Sequence, residues 1–147
     1  MRLEEQCVSL DLAKRLKELG LKQESLWHWT PKAKIVAGGQ ILHNGSYLVL
    51  AEQQPTYGSK AFYSAFTVAE LGEMLPASLI LEGDGRYYEY EYEYRQCLKG
   101  DTGFRVWYEN PKDGNDFQLV KEADTEADAR AKMLCYLLEN RLTTIRN

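Results

Sequence analysis

The fold of this chain is decided by the stretch Arg86-Tyr87-Tyr88-Glu89-Tyr90-Glu91-Tyr92-Glu93-Tyr94, in which tyrosine and glutamate alternate. Successive side chains of a β-strand point to opposite faces, so this alternation is typical of a half-buried strand. Four tyrosines fall on one face and three glutamates on the other. The stretch therefore predicts a strand that packs tyrosines on a core and shows glutamates to solvent.

The composition is that of one ordinary globular domain. The chain has 147 residues, of which 44% are hydrophobic and 27% are charged. A chain of this length buries about two thirds of the surface that it exposes when unfolded, and we therefore expect a single domain over residues 1–147. No apolar run approaches the roughly 18 residues of a membrane span. Glu4 and Glu5 closely follow Arg2, where a signal peptide has its apolar segment, so we expect a cytoplasmic protein without a membrane partner.

Charge is unevenly distributed along the chain. Residues 1–60 contain 8 Lys or Arg and 6 Asp or Glu, a net charge of +2, whereas residues 61–147 contain 10 and 16, a net charge of −6. Contact with the phosphates of a nucleic acid requires several basic residues close together, and the sequence has no such cluster. The charge pattern therefore argues against a nucleic-acid partner.

Two helices are indicated by their end signals. Ser9 is a typical N-cap and Gly20 a typical C-terminal stop, so a helix is predicted between them. Thr67 and Glu70 have the spacing of a capping box, which predicts a second, short helix that Pro76 ends.

Short strands and turns are predicted between these helices. The segment Leu26–Trp29 is predicted to be a strand. Asn44-Gly45 is a strong hairpin signal between Gln40–His43 and Ser46–Leu50, because both turn residues tolerate positive φ. The segment from Glu52 to Tyr63 is predicted to be a surface loop.

The second half of the chain predicts an antiparallel meander. A two-residue turn at Asp84-Gly85 would pair Leu79 with Tyr90 and Leu81 with Tyr88, so that leucines meet tyrosines on one face. A slip of one residue would move the tyrosines to the opposite face and lose this match.

The next strand is predicted to follow a connection over residues 95–103. Its expected partners across the sheet are Tyr94 with Phe104, Tyr92 with Val106, Tyr90 with Tyr108 and Glu93 with Arg105.

A fourth strand and a long helix complete the prediction. The loop over residues 110–115 leads to a strand in which Phe117 and Leu119 join the tyrosine face. Thr125 and Asp128 have the spacing of another capping box. The helix that they open carries an apolar stripe of Ala127, Ala131, Leu134, Leu138 and Leu142.

The predicted fold class is α+β. An antiparallel meander over Ser78–Val120 is covered by the C-terminal helix, and the N-terminal half adds a helix and a short hairpin.

Three stretches carry a shared pattern of helices and strand edges. They are Ser9–Gly20 with its continuation Gln23–Trp27, then Ala65–Leu71, and finally Ala127–Leu142. In these stretches the chain resembles a family of small bacteriophage and prophage proteins of unknown function. The resemblance implies an origin in a mobile element, a bacterial host cell as the location and no known activity, and it supplies no functional residues.

The search for metal-binding or catalytic motifs is negative. His28 and His43 belong to no ligand or catalytic spacing, and Asp113–Asp116 lacks the alternating oxygen ligands and the final glutamate of a calcium loop. Gly38-Gly39 and Gly58-Ser59-Lys60 do not complete a phosphate loop and are interpreted as ordinary loop residues. We therefore predict no catalytic residue, no metal and no cofactor.

The cysteines and glutamates also have ordinary interpretations. Cys7, Cys97 and Cys135 are far apart, and we expect reduced thiols in buried or inert positions. Glutamates two residues apart on a strand have roughly the 6.6 Å separation of paired catalytic carboxylates. Here they alternate with tyrosines, so we interpret them as a solvated face.

The aromatic residues are the best indication of a binding site. A row of four tyrosines can form a core, but each buried phenol then needs a hydrogen-bond partner, so some can instead reach a rim and contact a ligand or partner. The tryptophans either pack on a second layer from the N-terminal half or form an exposed patch. The speculative ligand or partner site consists of Tyr88, Tyr90, Tyr92, Tyr94, Trp27, Trp29, Trp107 and Arg105.

Two functions from different classes follow from these observations. The first is a non-enzymatic phage or prophage accessory protein that binds a host or phage protein. The second is a protein that binds or sequesters a nucleotide-like small molecule, and a hydrolase that uses carboxylates ranks third. A pocket that combines aromatic residues with Arg86, Arg95 or Arg105 would favour the second, whereas a flat apolar patch rimmed by acids would favour the first. The oligomeric state does not follow from the sequence, and a homodimer stays open.

Overall fold

The structure of the protein is a computed structural model that describes residues 2–30, 33–51, 62–82, 89–98 and 103–144. The helices are α1 (Leu3–Gln6), α2 (Leu10–Glu18), α3 (Val68–Met74) and α4 (Glu126–Glu139). The strands are β1 (Trp27–Trp29), β2 (Ala33–Ala37), β3 (Gln40–Gly45), β4 (Leu48–Leu50), β5 (Tyr63–Ser64), β6 (Ser78–Glu82), β7 (Glu89–Leu98), β8 (Phe104–Asn110) and β9 (Asp113–Ala123).

The second half of the chain forms the predicted antiparallel meander. Its strand order is β6-β7-β8-β9, and α4 packs across one face. The N-terminal half adds two smaller antiparallel sheets, β4-β1-β5 and β2-β3. The fold class is therefore α+β, as predicted. Within the described residues, no helix is both long and apolar enough to cross a membrane.

The pairing of β6 with β7 keeps the predicted face but not the predicted register. Leu79 pairs with Tyr92 and Leu81 with Tyr90, two residues further along β7 than a turn at Asp84-Gly85 would place them. A shift by two residues leaves every side chain on its face, so leucines still meet tyrosines. The connection itself, residues 83–88, lies outside the described residues.

The register of β7 with β8 differs from the prediction by four residues. Tyr94 pairs with Tyr108, and β7 continues to Leu98, which pairs with Phe104. Arg95 was predicted to begin the connection between the two strands, and it belongs to β7 instead. The longer strand lets β8 satisfy backbone groups that a loop would leave to solvent.

The predicted pair of Glu93 with Arg105 is consequently wrong. Glu93 lies opposite Glu109, and Arg105 lies opposite Cys97. Glu93 finds a cation on its own strand instead, since Arg95 Nη2 lies 2.7 Å from its carboxylate.

The last strand, β9, contains a bulge opposite Trp107. Lys121 pairs with Val106, whereas Gln118 pairs with Tyr108, so an extra residue stands between them on β9. Leu119, inside the bulge, has a φ of 60° and packs against the core, as predicted for its side chain.

The bulge explains why the prediction for Phe117 is wrong. Phe117 lies opposite Glu109 on the glutamate face and is exposed. An extra residue in a strand reverses the alternation beyond it, so Phe117 and Leu119 do not share a face.

The long helix α4 is buried on a wider surface than its predicted stripe. Ala127, Ala131 and Leu134 are buried as predicted, and Leu138 is half-buried. The helix packs on the sheet and also on α2 and α3. A helix with neighbours on two sides needs apolar side chains around more of its circumference. The additional buried residues are Ala129, Met133, Cys135 and Leu137.

The predicted capping box of α4 is only half present. Thr125 Oγ1 accepts a hydrogen bond from the N–H of Asp128 at 3.2 Å. The Asp128 carboxylate accepts a bond from the N–H of Ser9 at 2.7 Å and so leaves the box incomplete. This bond ties the first turn of α4 to the start of α2.

The other two predicted helices, α2 and α3, have the terminal residues that the sequence predicts. Gly20 has a φ of 92° and follows α2, where the N–H of Leu21 bonds the carbonyl of Leu16. Thr67 and Glu70 form a complete capping box at α3.

The hairpin of the N-terminal half turns at a different place from the prediction. Ala37 pairs with Gln40 around Gly38-Gly39, whose φ values of 60° and 79° suit a tight hairpin turn. Asn44-Gly45 instead ends β3, and β4 pairs with β1. The Asn-Gly pair therefore marks the end of a strand rather than the turn of the hairpin. Most of the predicted loop, residues 52–61, lies outside the described residues.

Candidate functional site

The sheet face that points away from α4 is the candidate functional site and is called the outer face below. Residues that pair across antiparallel strands share a face, so the register of the strands identifies its members. They are Ile80, Glu91, Glu93, Arg95, Cys97, Arg105, Trp107, Glu109, Phe117, Val120 and Glu122.

Exposed apolar side chains occupy parts of the outer face on two strands, β6 and β9. Ile80 is 59% exposed, Phe117 is 52% exposed and Val120 is 37% exposed. Trp107 is half-buried and lies opposite the bulge that carries Val120. Apolar side chains that cluster on a surface and are bordered by polar groups are typical of interaction sites.

Charged side chains surround these apolar residues and are held by ion pairs. Arg95 Nη2 lies 2.7 Å from Glu93 Oε2, and Arg95 Nε lies 3.5 Å from Glu109 Oε2. Arg105 Nε donates a hydrogen bond to Glu122 Oε1 at 2.7 Å.

The outer face has an acidic balance. Among its members whose side chains the structure describes, four glutamates and two arginines give a net charge of −2. Glu91 has no ion-pair or hydrogen-bond partner within the residues that the structure describes. A surface that is partly apolar and carries more acids than bases is closer to the pattern expected for a protein partner than to that of a nucleotide pocket.

Of the two predicted tyrosines whose side chains the structure describes, Tyr92 lies in the core beside Tyr108, and Tyr94 is half-buried. Tyr92 and Tyr108 are buried; the Tyr92 hydroxyl donates to Asp116 Oδ2 and the Tyr108 hydroxyl to the Pro76 carbonyl, both at 2.7 Å. Burial raises the pKa of Tyr108 far above its usual range. These partners explain how a row of phenols can be buried without loss of hydrogen bonds.

Tyr94 is the one predicted tyrosine whose described side chain a ligand can reach. It is half-buried, and its ring meets that of Tyr108 edge-on at 5.7 Å. Burial raises its pKa to about 12. Tyr88 lies outside the described residues, and only the backbone of Tyr90 is described.

The predicted tryptophans lie in two separate places. Trp27 and Trp29 belong to β1, and the Trp29 indole donates a hydrogen bond to the Val8 carbonyl at 2.8 Å, so this ring packs on the N-terminal segment. Trp107 lies on the outer face beside Arg105, the eighth predicted site residue. The structure thus brings Trp107 and Arg105 together and leaves the β1 tryptophans elsewhere.

Sequence reasoning missed the exposed apolar members of the outer face. The exposure of Ile80 could have been predicted, because Ile80 alternates with the two leucines that meet the tyrosines and so lies on the opposite face. Phe117 had none, because the bulge that reorients it has no marker in the sequence. The outer face is therefore only partly readable from the sequence.

A hollow of about 590 Å³ lies where β7 extends beyond β6. Tyr94, Arg95 and Arg130 line it, as do Glu91 and Glu93. An aromatic ring beside arginines is the arrangement expected for a nucleotide-like ligand. The two carboxylates oppose a phosphate at the same place.

The arginines of this hollow are already engaged. Arg130 Nη2 lies 2.7 Å from Glu126 Oε1, and its Nη1 donates to the Val68 carbonyl at 3.0 Å. Only its buried Nε lacks an acceptor within the described part of the chain. Since Arg95 is paired with Glu93, a phosphate would have to displace carboxylates from both cations.

The glutamates of β7 do not have the surroundings of an acid and base pair. Glu93 is ion-paired with Arg95 and 40% exposed, and Glu91 is exposed. A carboxyl group that acts as a general acid needs an environment that favours its neutral form. The structure therefore gives no support to a hydrolase.

His28 and Ser64 meet in the core but form no catalytic triad. His28 Nε2 lies 3.3 Å from Ser64 Oγ, while His28 Nδ1 has no partner among the described residues. Ser64 is fully buried, so a substrate could not reach its hydroxyl. A hydrolytic triad needs an accessible nucleophile and a third group that orients the histidine.

The stability of the fold should depend on pH through His28. Its side chain is 7% exposed, and burial lowers its pKa although the nearby Glu70 carboxylate opposes this shift. The unfolded chain then takes up the proton first, so the free energy of unfolding should decrease as the pH falls below about 6.5. Urea midpoints at pH 7.5 and 5.5 measure the effect. His28→Gln should show a smaller decrease than the wild type, and equal decreases would contradict the prediction.

In the described part of the chain, the possible metal ligands and the cysteines form no further candidate site. Among the described residues there is no group of three or more potential metal-ligating side chains. The turn predicted at Asp113–Asp116 is wrong, because these residues belong to β9 and the chain turns at residues 111–112. The Asp113 carboxylate accepts the N–H of Asn115, and the Asp116 carboxylate accepts hydrogen bonds from the Tyr92 hydroxyl and the Asn110 amide. Cys7 and Cys135 are buried, which raises the pKa of both thiols to about 11, whereas Cys97 is exposed on the outer face.

Comparison of the chain with models of protein families, with curated proteins and with solved structures found no match. The resemblance to phage and prophage proteins therefore stays a prediction.

Proposed function

We propose that this protein acts by binding a protein partner through its outer face, without catalysis. One observation carries the proposal: exposed apolar side chains of β6 and β9 share one sheet face with Trp107 of β8, and ion-paired charges lie between and around them. Aromatic and aliphatic centres with a polar rim are the usual anatomy of a protein interface. The resemblance described above supports a host or phage protein as the partner.

The charges of the outer face indicate which side chains the partner should have on its binding surface. The face has a net charge of −2 and the whole chain a net charge of −4. Complementary potentials speed up association and select partners, so the partner should present apolar side chains surrounded by lysine or arginine.

A protein partner is better supported than a nucleotide-like ligand. The hollow beside Tyr94 has a suitable size for a ligand, but Glu91 and Glu93 line it and its arginines are paired. On the outer face, by contrast, the charges and the apolar residues favour one kind of partner. Glu91, which has no partner among the described residues, and the exposed apolar side chains both suit a protein with basic and apolar side chains.

The outer face contains a natural point of attachment for a cross-linking experiment. Cys97 is exposed there, while Cys7 and Cys135 are buried, so a photoactivated cross-linker on a maleimide should attach to Cys97 in the native protein. The labelled protein is irradiated in a bacterial lysate, and its adducts are identified by mass spectrometry. The control carries Cys97→Ser and Asp11→Cys, which moves the cross-linker to an exposed position on α2.

We expect one protein to be cross-linked from Cys97 and not from position 11. Reconstituted with that purified protein, Trp107→Ala should weaken binding by about 2 kcal/mol, roughly 30-fold, because aromatic anchors dominate interface energies. Phe117→Asp should weaken it further, and His28→Gln should leave it unchanged. Equal affinities of wild type and both outer-face variants, or catalytic turnover that a single His or Glu substitution abolishes, would contradict the proposal.

A further inference from the structure

A second cavity lies on the helical side of the sheet, away from the outer face. Its volume is about 270 Å³, and its apolar lining consists of Leu21, Phe66, Met74, Leu134 and Leu138. Such a volume suits a small organic molecule or a single side chain, and it is too small for a nucleotide.

The rim of this cavity is acidic. Among the described residues that line it are Glu24, Glu70 and Glu73 and a single cation, Lys22, which lies 3.9 Å from the Glu24 carboxylate. The Glu70 carboxylate accepts three hydrogen bonds from the protein itself. Glu73 is exposed and has no ion-pair or hydrogen-bond partner within the described part of the chain.

Three helices end at this cavity, which adds to its negative potential. Met74 is the last residue of α3, Leu138 lies in the last turn of α4, and Leu21 follows the end of α2. A helix C-terminus carries partial negative charge on its free carbonyl groups, and a nearby cation stabilises it. Neither α3 nor α4 has a basic residue in its last turn, whereas α2 has Arg15 and Lys17 there, so the negative potential comes from the ends of α3 and α4.

We propose that this cavity binds a small organic amine. The apolar body would lie against Met74 and Leu138, and the ammonium group would lie at the rim beside Glu73 and the helix ends. A neutral molecule would leave the charge of the rim uncompensated, and an anion would be repelled by it. This site is separate from the outer face, so it is a binding function additional to the one proposed above.

Methionine methyl groups report on the cavity directly. The chain has three methionines, of which Met74 lines the cavity and Met133 is buried in the core. Protein labelled with ¹³C at the methionine methyl groups is titrated with 2-phenylethylamine and, separately, with 2-phenylethanol. The amine should shift the Met74 signal in a saturable manner and more than the Met133 signal, and it should bind about fivefold more tightly than the alcohol.

Two variants separate the rim charge from the net charge. Glu73→Gln should lower the affinity for the amine to that for the alcohol. Asp11→Asn makes the same change of charge at the opposite end of α2 and should leave the affinity for the amine unchanged. No saturable shift of Met74, equal affinities for amine and alcohol, or equal losses in the two variants would overturn the proposal. None of these results depends on the partner of the outer face.

Discussion

Leu134→Ala is expected to lower the free energy of unfolding by about 2 to 5 kcal/mol. Leu134 is 2% exposed in the middle of α4, where the helix packs on the sheet and on other helices. Truncation removes its contacts and leaves a cavity between elements that cannot close around it without breaking other contacts. Urea denaturation followed by circular dichroism gives the free energy of unfolding from the midpoint and slope.

Leu138→Ala is the matched control for this substitution. Leu138 lies one turn further along α4 and is half-buried beside solvent, so the same truncation should cost clearly less. The sequence stripe alone predicts equal costs for both leucines. Equal midpoints of the two variants would therefore contradict the burial that the structure shows, and a wild-type midpoint in both would reject the packing of α4.

Side-chain alternation predicted the faces of the sheet better than its register. Tyr92 and Tyr94 point towards α4, as their alternation with glutamate requires. The pairings are displaced by two residues at β6-β7 and by four at β7-β8. Both displacements are even, because an odd one would expose the tyrosines, whereas an even one changes only the length of a connection. Burial thus determines the face, and the connections determine the register.

The errors in the N-terminal half have a related cause. Gly38-Gly39 and Asn44-Gly45 are both turn signals, and only six residues separate their starts. Local turn chemistry does not choose between them, because the choice depends on which strands pair. Here β4 pairs with β1 across the sheet, which removes β4 as a partner for β3.

The candidate site was predictable only where it depends on alternation. Because glutamate alternates with tyrosine, the sequence placed Glu91 and Glu93 on a solvated face. The structure also has Trp107 on that face. The exposure of Phe117 depends on a bulge, and a bulge is a property of two strands rather than of one sequence segment.

The role of Glu70 shows what a local motif leaves out. The sequence identifies it as the second half of a capping box, which is correct, since its Oε2 accepts the N–H of Thr67 at 2.7 Å. The same carboxylate accepts the hydroxyl of Ser25 at 2.9 Å and the N–H of Leu26 at 3.1 Å. Glu70 therefore ties the start of α3 to the segment that enters β1, a connection over more than forty residues.

Glu70→Ala is accordingly expected to lower the free energy of unfolding by about 2 to 4 kcal/mol, more than the loss of a cap alone. The substitution removes the acceptor of three donors. The buried Ser25 hydroxyl can still donate to the Ala65 carbonyl at 3.1 Å, whereas the N–H groups of Leu26 and Thr67 lose the acceptor that they share in Glu70. Glu70→Gln keeps one oxygen acceptor and should cost about half as much, because the amide oxygen can still accept from part of this set. Urea denaturation at pH 7.5, where His28 is neutral, measures all variants under one condition.

Glu73→Ala provides the matched control, since Glu73 lies one turn further along the same helix. It is exposed and has no partner among the described residues, so its replacement should change the free energy of unfolding by no more than about 0.5 kcal/mol. A Glu70→Ala variant as stable as Glu73→Ala would mean that water replaces the three hydrogen bonds without cost. A loss at Glu70 larger than the roughly 1 kcal/mol of a missing cap would instead show that one carboxylate holds the N-terminal sheet and the helical layer together, because its long-range bonds account for the excess.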